Sequence, residues 1–216
     1  MTFTHNSSRI KLCLFINNQP VFRKLMLKKF PIIFLLISLQ APADFKSGGE
    51  AYKQGDYEAA AKEFLPLAKN GDHRAMYALG SMYSAGHGVP QDHTEALKWF
   101  QRAAKYGRPD AEYKLGLLYL NGLGTEKDER KAINWFGRSA KKGFVNAQYR
   151  VGEMYAAGLG VQQDYIKAYA WLSIALEQGI TDAKSALDMV SSQLDPEQLK
   201  TAQILADSYR DQYVKR

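Results

Sequence analysis

Ser139 and Lys142 are separated by two residues, a spacing that in some acylating enzymes joins a nucleophilic serine to a lysine. The β-lactamases and penicillin-binding proteins that use it also carry Ser-Asp-Asn and Lys-Thr-Gly elements, and this sequence has neither. The residues 36 positions before and after Ser139 are Ala103 and Ala175. The pattern therefore favours a small buried residue over a nucleophile.

Three histidines lie close together in the chain, where a metal site is the chemistry to consider. His87 and His93 flank one predicted loop and His73 lies nearby, whereas zinc needs ligands that converge on one point. At 36 and 72 residues after His87 the sequence has Leu123 and Leu159. At the same distances after His93 it has Glu129 and Tyr165. We therefore expect solvent-exposed loop histidines and no metal site.

Gly86 and Gly88 form a Gly-x-Gly loop that could be taken for a phosphate-binding turn. The loop follows a predicted helix rather than a strand, and it recurs every 36 residues. We interpret it as a helix-ending turn and expect no cofactor. The sequence has one cysteine, Cys13, which lies in the leader described below. The mature chain is thus expected to lack disulfides, thiolate zinc sites and a thiol nucleophile.

All the other candidate residues belong to a repeated pattern. Residues 75–110, 111–146 and 147–182 align without a gap, and each block has Tyr, Gly, Asp and Trp at the same positions. A fixed period in this range is the signature of repeat arrays, in which stacked helix pairs bury a continuous core. The period predicts an all-α solenoid of antiparallel helix pairs with helical caps at both ends.

Each block predicts two helices whose ends are marked by particular residue types. The first helix ends at a glycine, which adopts the left-handed conformation without a Cβ penalty. The second helix begins at an aspartate, whose carboxylate can cap the first turn, and it ends at another glycine. In the order of the three blocks, these residues are Gly86, Gly122 and Gly158, then Asp92, Asp128 and Asp164, then Gly107, Gly143 and Gly179.

Glycine also recurs in the middle of the first helices, where it costs about 1 kcal/mol relative to alanine. This repetition indicates the close approach of a neighbouring helix, which we expect at an alanine of the second helix. One tryptophan in each block is expected to fill the space between helix pairs. The glycines are Gly80, Gly116 and Gly152, the alanines Ala96, Ala132 and Ala168, and the tryptophans Trp99, Trp135 and Trp171.

The segments on either side of the three blocks differ from them, as terminal caps of a repeat array do. Residues 44–74 match the second half of a block, with Glu63 in place of the tryptophan, and predict an N-terminal half-repeat. Residues 183–216 predict a C-terminal helical cap of one more helix pair. Its second helix begins at Asp195, with Pro196 in the first helical position.

The formal net charge of +7 comes mainly from the leader of the chain. Residues 1–43 hold six of the 29 Lys and Arg residues and none of the 22 Asp and Glu residues. The remainder is therefore nearly neutral, without the clustered basic residues that phosphate contacts need. We expect no nucleic-acid partner.

Residues 26–43 have the three parts of a secretory signal peptide. Lys28 and Lys29 precede an apolar run over residues 30–39, and Ala41-Pro42-Ala43 forms a cleavage site. This apolar run is too short to span a membrane, since a membrane-spanning helix needs about 20 residues. We expect cleavage after Ala43, a periplasmic or secreted protein, and no stable membrane insertion. A buried core helix and an uncleaved anchor are the alternatives. Residues 1–25 are either a non-native extension, with Met26 the true start, or a long natural leader.

The repeated block resembles the Sel1-like repeat, a relative of the tetratricopeptide repeat. The shared pattern is Ala-x-x-x-Leu-Gly-x-x-Tyr, then Gly-x-Gly-Val-x-x-Asp, then Ala-x-x-Trp-Phe-x-x-Ala-Ala-x-x-Gly, and it begins at Ala75, Ala111 and Ala147. Thr125, Ser139 and Leu176 depart from it. The resemblance implies a right-handed α-solenoid that serves as an adaptor or scaffold, with no family-wide catalytic residues.

In arrays of this kind the first helices line the concave face, so their outward residues are candidates for partner binding. A ladder of three tyrosines would offer contact area of the type enriched at hot spots, although the same tyrosines could be packing residues. Two leucines form an apolar patch confined to one repeat, which is typical of a specific contact. The candidate face comprises Arg74, Tyr77, Ser81, Ser84, Tyr113, Leu117, Leu120, Asn121, Tyr149 and Glu153.

Together these observations predict a non-enzymatic protein–protein interaction scaffold in the bacterial periplasm or cell envelope, with a role in envelope signalling or host interaction. The expected partner is a protein or peptide bound on the concave face. Two alternatives stay open. One is an enzyme acting on β-lactams or the cell wall, as described for some secreted relatives. The other is a membrane-tethered regulator that keeps its leader.

Overall fold

The computed structural model describes residues 43–214 of the chain. The predictions for residues 1–25 and for the signal peptide up to residue 42 lie outside the described residues. Within them there are ten α-helices and no β-strand. The helices are α1 (Phe45–Lys53), α2 (Tyr57–Lys69), α3 (His73–Ala85), α4 (His93–Lys105), α5 (Pro109–Asn121), α6 (Glu129–Lys141), α7 (Val145–Ala157), α8 (Tyr165–Glu177), α9 (Ala183–Ser191) and α10 (Pro196–Tyr213).

The helices form a row of stacked hairpins. Helices α3 to α8 all have 13 residues. Within each block the short loop reverses the chain, so α3 packs on α4, α5 on α6 and α7 on α8. The hairpins then stack through α2 and α3, α4 and α5, and α6 and α7. The predicted all-α solenoid is confirmed. No helix among the described residues combines the length and hydrophobicity needed to cross a membrane.

The predicted helix ends are confirmed. The side chains of the three aspartates accept hydrogen bonds from backbone N–H groups in the first turns of α4, α6 and α8. Gly86, Gly122 and Gly158 end the first helices with φ of 74°, 68° and 71°, a left-handed conformation that favours glycine. Local residue chemistry therefore sets where the first helix of each repeat ends and where the second begins.

The mid-helix glycines make room for a large side chain of the second helix, and the atoms nearest to their Cβ positions belong to that side chain rather than to the expected Ala96, Ala132 and Ala168. A Cβ on Gly80 would stand 2.7 Å from the Phe100 ring, and a Cβ on Gly116 would stand 2.5 Å from the Phe136 ring. Gly152 faces Leu172 in the same way. The side chain of the second helix thus lies directly on the backbone of the first, because glycine has no side chain to hold it away.

The second glycine of each loop joins one repeat to the preceding one. A Cβ on Gly88 would stand 2.2 Å from the carbonyl oxygen of Tyr57, the first residue of α2. Gly124 lies equally close to His93, the first residue of α4. Each loop therefore covers the first turn of the second helix in the hairpin before it. Sequence analysis had interpreted these loops only as helix-ending turns.

The tryptophans lie between hairpins, as predicted. Trp99 and Trp171 are buried, with 7% and 4% of their surface exposed, and Trp135 is half-buried. The guanidinium groups of Arg102 and Arg138 lie over Trp99 and Trp135, at 4.4 and 4.5 Å from the ring centroid. Such stacking covers the outer face of an indole.

The two ends of the array differ from its middle. At the N-terminus α1 and α2 form a complete hairpin, in which a Cβ on Gly48 would stand 2.6 Å from the Phe64 ring. The sequence alignment had captured only α2. At the C-terminus α9 and α10 both pack on α8 rather than forming a further tight hairpin, and Tyr213 stacks on Trp171 at 5.5 Å. Helix α10 therefore covers the last tryptophan of the array.

Candidate functional site

Ser139 and Lys142 are both engaged in structural contacts. Ser139 is fully buried, and its hydroxyl donates to the Pro109 carbonyl oxygen at 2.6 Å. Lys142 Nζ lies 2.8 Å from the carboxylate of Glu112 and 3.1 Å from the Gly107 carbonyl oxygen. The hydroxyl has no access to a substrate in this arrangement, and the lysine points to a different partner. The prediction of a small buried residue at position 139 is confirmed.

A buried carboxylate that sequence analysis missed lies beside this pair. Glu112 is fully buried on α5, where it meets Lys142 and the Arg138 guanidinium, whose Nη2 lies 3.0 Å away. The equivalent residue of the third repeat, Gln148, is also fully buried and accepts from Gln178 Nε2 at 2.6 Å. The first repeat has buried Met76 at this position. A buried polar group needs partners, and here they come from the last turn of the second helix or from the residue directly after it.

The histidines are not solvent-exposed loop residues, and that expectation was wrong. His87 stacks on Tyr57 with ring centroids 4.3 Å apart, and its Nδ1 is hydrogen-bonded to the Tyr52 hydroxyl at 2.9 Å. His73 Nδ1 lies 3.4 Å from Arg108 Nη1. All three histidines are half-buried. Among residues 43–214 no group of three His, Cys, Asp or Glu residues could hold a metal ion.

The ten residues of the predicted candidate face all lie on the first helices of the repeats. Arg74 and Asn121 are exposed, and the other eight are half-buried. Arg74 is paired with Asp72 at 2.7 Å, and its hydrogen bonds lower the pKa of Asp72 to about 2. We call the surface formed by α3, α5, α7 and α9 the first-helix face.

The tyrosine ladder packs against the second helices. The Tyr77 ring lies 5.6 Å from the Phe100 ring, and the Tyr113 ring lies 5.5 Å from that of Phe136. Arg108 covers Tyr77 at 5.0 Å from the ring centroid. These rings therefore serve hairpin packing, which was one of the two predicted roles, and their exposed portions still belong to the first-helix face.

The third tyrosine belongs to a polar cluster on α7. Arg150 Nη1 donates to Glu153 at 2.9 Å, and the guanidinium lies 5.8 Å from the Tyr149 ring centroid. Burial, together with a hydrogen bond to the Glu153 carboxylate and the charge of that carboxylate, raises the pKa of Tyr149 to about 12. This cluster keeps a cation and an anion side by side in the middle of the first-helix face.

An apolar groove opens beside that cluster. It has a volume of 620 Å³ and lies between the end of α5, the length of α7 and α9. Its lining includes Leu120, Met154, Leu159, Tyr165 and Met189, with Arg150 and Glu153 at one end. Another depression, of 680 Å³, is lined by charged residues 127–130 and by the loop at residues 158–162. We call the apolar one the groove.

The groove lies beside a C-terminal connection that is shorter than the loops of the repeats. Seven residues separate the helices of each repeat, as in Gly86 to Asp92, and these loops cover the first turns of α2, α4 and α6. Only Ser192 to Asp195 separate α9 from α10. Gln193 of this shorter connection lines the groove together with Tyr165, the first residue of α8.

Comparison with known proteins agrees with this architecture. A sequence profile of the Sel1 repeat matches residues 73–107, 109–144 and 145–180. The chain belongs to the Sel1 repeat family. Its Sel1 repeats thus coincide with the hairpins α3–α4, α5–α6 and α7–α8. Sel1 repeat proteins are typically protein–protein interaction scaffolds and are generally non-enzymatic.

Solved structures of Sel1 repeat proteins are similar to this chain. A Sel1 repeat protein from Oxalobacter formigenes is 26% identical with a TM-score of 0.66, over 76% of this chain and 70% of that one. The protein c5321, a protective antigen of uropathogenic Escherichia coli, is 26% identical with a TM-score of 0.57. That match covers 79% of this chain and 45% of the antigen. No curated protein sequence matches the chain.

Of the ten predicted surface residues, the groove contains Leu120 and Glu153. Sequence analysis missed Leu159, Tyr165 and Met189. Two signals could have found them. Leucine replaces histidine in the loops of the second and third Sel1 repeats, and the segment after α9 has no Gly-x-Gly loop. The leucines place an apolar side chain at the surface of each loop. The missing Gly-x-Gly loop after α9 predicts that no further loop of this kind packs over the third repeat.

Proposed function

We propose that this Sel1 repeat protein is a non-enzymatic interaction scaffold of the bacterial cell envelope, which binds a partner protein on its first-helix face. The observation that carries the proposal is the groove between α5, α7 and α9, where the array leaves apolar side chains uncovered. Exposed contiguous apolar surface beside polar residues is typical of interaction sites. The Sel1 repeat family supports the same role.

The environment of Ser139 and Lys142 supports the non-enzymatic part of the proposal. A serine nucleophile needs a base within hydrogen-bond reach and room for the reacting carbonyl. Here the buried hydroxyl is bonded to Pro109, and the lysine is bonded to Glu112. Acylation by a β-lactam would require both contacts to break.

The envelope location rests on the sequence of residues 26–43, which has the order of a signal peptide. The test is the intact mass of the protein recovered from the periplasm of an expressing cell. A polypeptide starting at Asp44 is the expected result. A mass that retains the apolar run, with the protein in the membrane fraction, would instead support a tethered regulator.

The partner-binding part of the proposal is tested by site-specific photocrosslinking in the cell envelope. A photoreactive residue at Leu117, on the first-helix face, is compared with one at Asn134, an exposed position on α6. We expect a discrete adduct from position 117 alone, and the adduct is identified by mass spectrometry. The purified partner should then bind the wild-type protein and lose affinity for the variant with Leu117→Asp and Tyr113→Ala. Equal binding to both proteins would reject this face.

A further inference from the structure

The second helices sort their charges along their length, although residues 44–216 are nearly neutral overall. In α2, α4 and α6 the first seven residues hold four cations and four carboxylates. The last six residues of the same helices hold five cations and no carboxylate. These five side chains, all exposed, are Lys69, Arg102, Lys105, Arg138 and Lys141. We call them the basic row.

Stacking of the hairpins brings the basic row to one edge of the array. Its three lysines are the last residues of α2, α4 and α6, one repeat apart. Its two arginines lie one turn earlier, each over the indole of the tryptophan in its own helix. First and second helices alternate in the packing and form two layers. The basic row therefore belongs to the layer of second helices and is separate from the first-helix face.

Neighbouring charges do not cancel the basic row. Four of its five members form no ion pair within residues 43–214. Arg138 shares the buried Glu112 with Lys142, so that these three groups leave one positive charge. The two carboxylates next to the adjoining turns are each paired with an arginine two residues away. Five positive charges are therefore in excess along three hairpins.

The basic row has defined ends. At the start of α1, Asp44 and Lys46 offset each other. On α8 the position equivalent to the row lysines holds Glu177, which pairs with Arg210, and Asp182 follows in the next turn. The surplus is thus confined to the hairpins that end in α2, α4 and α6.

Helix stability does not account for the basic row. A cation in the last turn complements the negative end of a helix dipole. Helices α3, α5, α7 and α8 have the same length as α2, α4 and α6 and carry no basic residue in the last turn. The cations are therefore placed by the edge of the array on which they lie and not by a need of every helix.

An exposed tyrosine lies in the middle of the basic row. Tyr106 directly follows Lys105, and 57% of its surface is exposed. The equivalent residues after α2, α6 and α8 are Asn70, Lys142 and Gln178. Tyrosine is enriched where a membrane meets water, and lysine reaches a charged surface through a flexible apolar stem. Spaced, flexible cations beside an amphipathic ring suit distributed phosphates better than a fixed pattern of carboxylates on a protein.

We propose that the basic row holds the protein on an anionic phospholipid surface, with its lysines and arginines on the lipid phosphates and Tyr106 at the level of the headgroups. Such adsorption needs no membrane-spanning helix, and it leaves the first-helix face free for a partner. The inference goes beyond the proposed scaffold function, and the choice of a lipid rests on the proposed envelope location.

Co-sedimentation with vesicles tests the proposal on the protein recovered from the periplasm. Vesicles containing phosphatidylglycerol are compared with vesicles of phosphatidylcholine alone. We expect binding to the anionic vesicles only, with release at about 1 M salt, where the Debye length is about 3 Å. Each cation near an anionic surface contributes about fivefold in affinity. The triple variant Lys69→Gln, Lys105→Gln and Lys141→Gln should therefore lose about a hundredfold.

A matched control removes three cations outside the basic row. Lys114 lies on α5, Arg130 at the start of α6 and Lys200 on α10, and none of them forms an ion pair within the described part of the chain. Their replacement by glutamine changes the net charge equally and should lower vesicle affinity by less than about threefold. Thermal unfolding checks that both triple variants keep the fold.

Several results would overturn the inference. They are no binding to anionic vesicles, equal or salt-resistant binding to neutral vesicles, and equal losses in the row variant and the control variant. If polyglutamate or a DNA duplex binds through the basic row while anionic vesicles do not, the row serves an acidic protein or a nucleic acid, and the lipid is rejected. The vesicles contain no partner protein, so failure here leaves the crosslink at Leu117 standing, and loss of that crosslink leaves vesicle binding standing.

Discussion

Gly160 lies against Glu129, the first residue of α6 in the preceding repeat, and a Cβ on Gly160 would stand 2.3 Å from the Glu129 carbonyl carbon. Gly158, in the same loop, would place its Cβ 3.4 Å from the nearest atom. The two have nearly equal φ, 67° and 71°. One glycine ends a helix, and the other docks the loop on its neighbour.

This difference predicts unequal effects of alanine in one loop. Gly158→Ala should lower the free energy of unfolding by about 1–2 kcal/mol, from the left-handed backbone alone. Gly160→Ala should lower the free energy of unfolding by about 1–3 kcal/mol more than Gly158→Ala does, because the new methyl group meets backbone atoms that cannot move aside. Urea unfolding followed by circular dichroism measures both. Equal losses would show that the loop contact contributes nothing to stability.

The mid-helix glycines predict a reversal of the usual effect of alanine in a helix. A Cβ on Gly116 would stand 2.5 Å from Phe136, whereas Gly137 on α6 has nothing within 4 Å of its Cβ position. Gly137→Ala should therefore stabilise the protein by about 1 kcal/mol through helix propensity. Gly116→Ala should destabilise it by about 1–2 kcal/mol, since overpacking outweighs that gain. A stabilised Gly116→Ala would contradict the contact with the ring.

The buried Glu112 predicts strong coupling with Lys142. Lys142→Ala removes a partner from a buried carboxylate, which should cost about 2–3 kcal/mol. Glu112→Met introduces the residue found at the equivalent position of the first repeat, Met76, and should be close to neutral.

The double variant closes a mutant cycle on this pair. In the Glu112→Met background, Lys142→Ala should change the free energy of unfolding by less than about 0.5 kcal/mol, because there is no buried charge left to compensate. Additive effects of the two substitutions would show that the ion pair is energetically unimportant.

Ser139 is predicted to act as a hydrogen-bond donor to the backbone and not as a nucleophile. Ser139→Ala should lower the free energy of unfolding by about 1 kcal/mol, the net worth of one hydrogen bond. Incubation of the wild-type protein with a chromogenic β-lactam should give neither turnover nor a mass increase from acylation. A covalent adduct that disappears in Ser139→Ala would restore the enzyme alternative.

Tyr149 predicts a loss of stability in strongly basic solution. Its pKa is about 12 when folded and 10.0 otherwise, so the folded state favours the neutral phenol. The resulting stability is fully present below pH 10 and is lost as the pH rises towards 12. Titration by NMR of tyrosine labelled at Cζ measures the pKa, with Tyr149→Phe assigning the signal. Glu153→Gln should lower the pKa only in part, because burial remains; an unchanged pKa would exclude the contact with Glu153.

Much of the fold could be predicted because the signals are local and repeat three times. Asp92 caps α4 through the amide groups two and three residues ahead of it, and Gly86 ends α3 by its own backbone conformation. Such features need no distant partner. The identity of the contact partner was harder to predict. Gly80 was expected to face Ala96, but four residues along the same helix Phe100 occupies that place.

The candidate site was predicted less well than the fold. Leu120 stood out from its equivalents, Ser84 and Ala156, so sequence comparison of the repeats selected it. Met189 lies outside the repeats, where no equivalent position exists for comparison. The interpretation of His87 as a solvent-exposed residue failed for a related reason, since its stacking partner Tyr57 belongs to the preceding hairpin.

The sequence by itself determined the two helices of each repeat, their order and their stacking, because periodicity, capping and turn chemistry act within a few residues of the chain. Only the tertiary structure decided that Lys142 neutralises Glu112, 30 residues away, and that Gly160 docks on Glu129. It also decided that Gln193, in the short connection after α9, lines a groove together with Tyr165. These features depend on the angle and spacing at which one hairpin meets the next, and the packing of whole helices sets both.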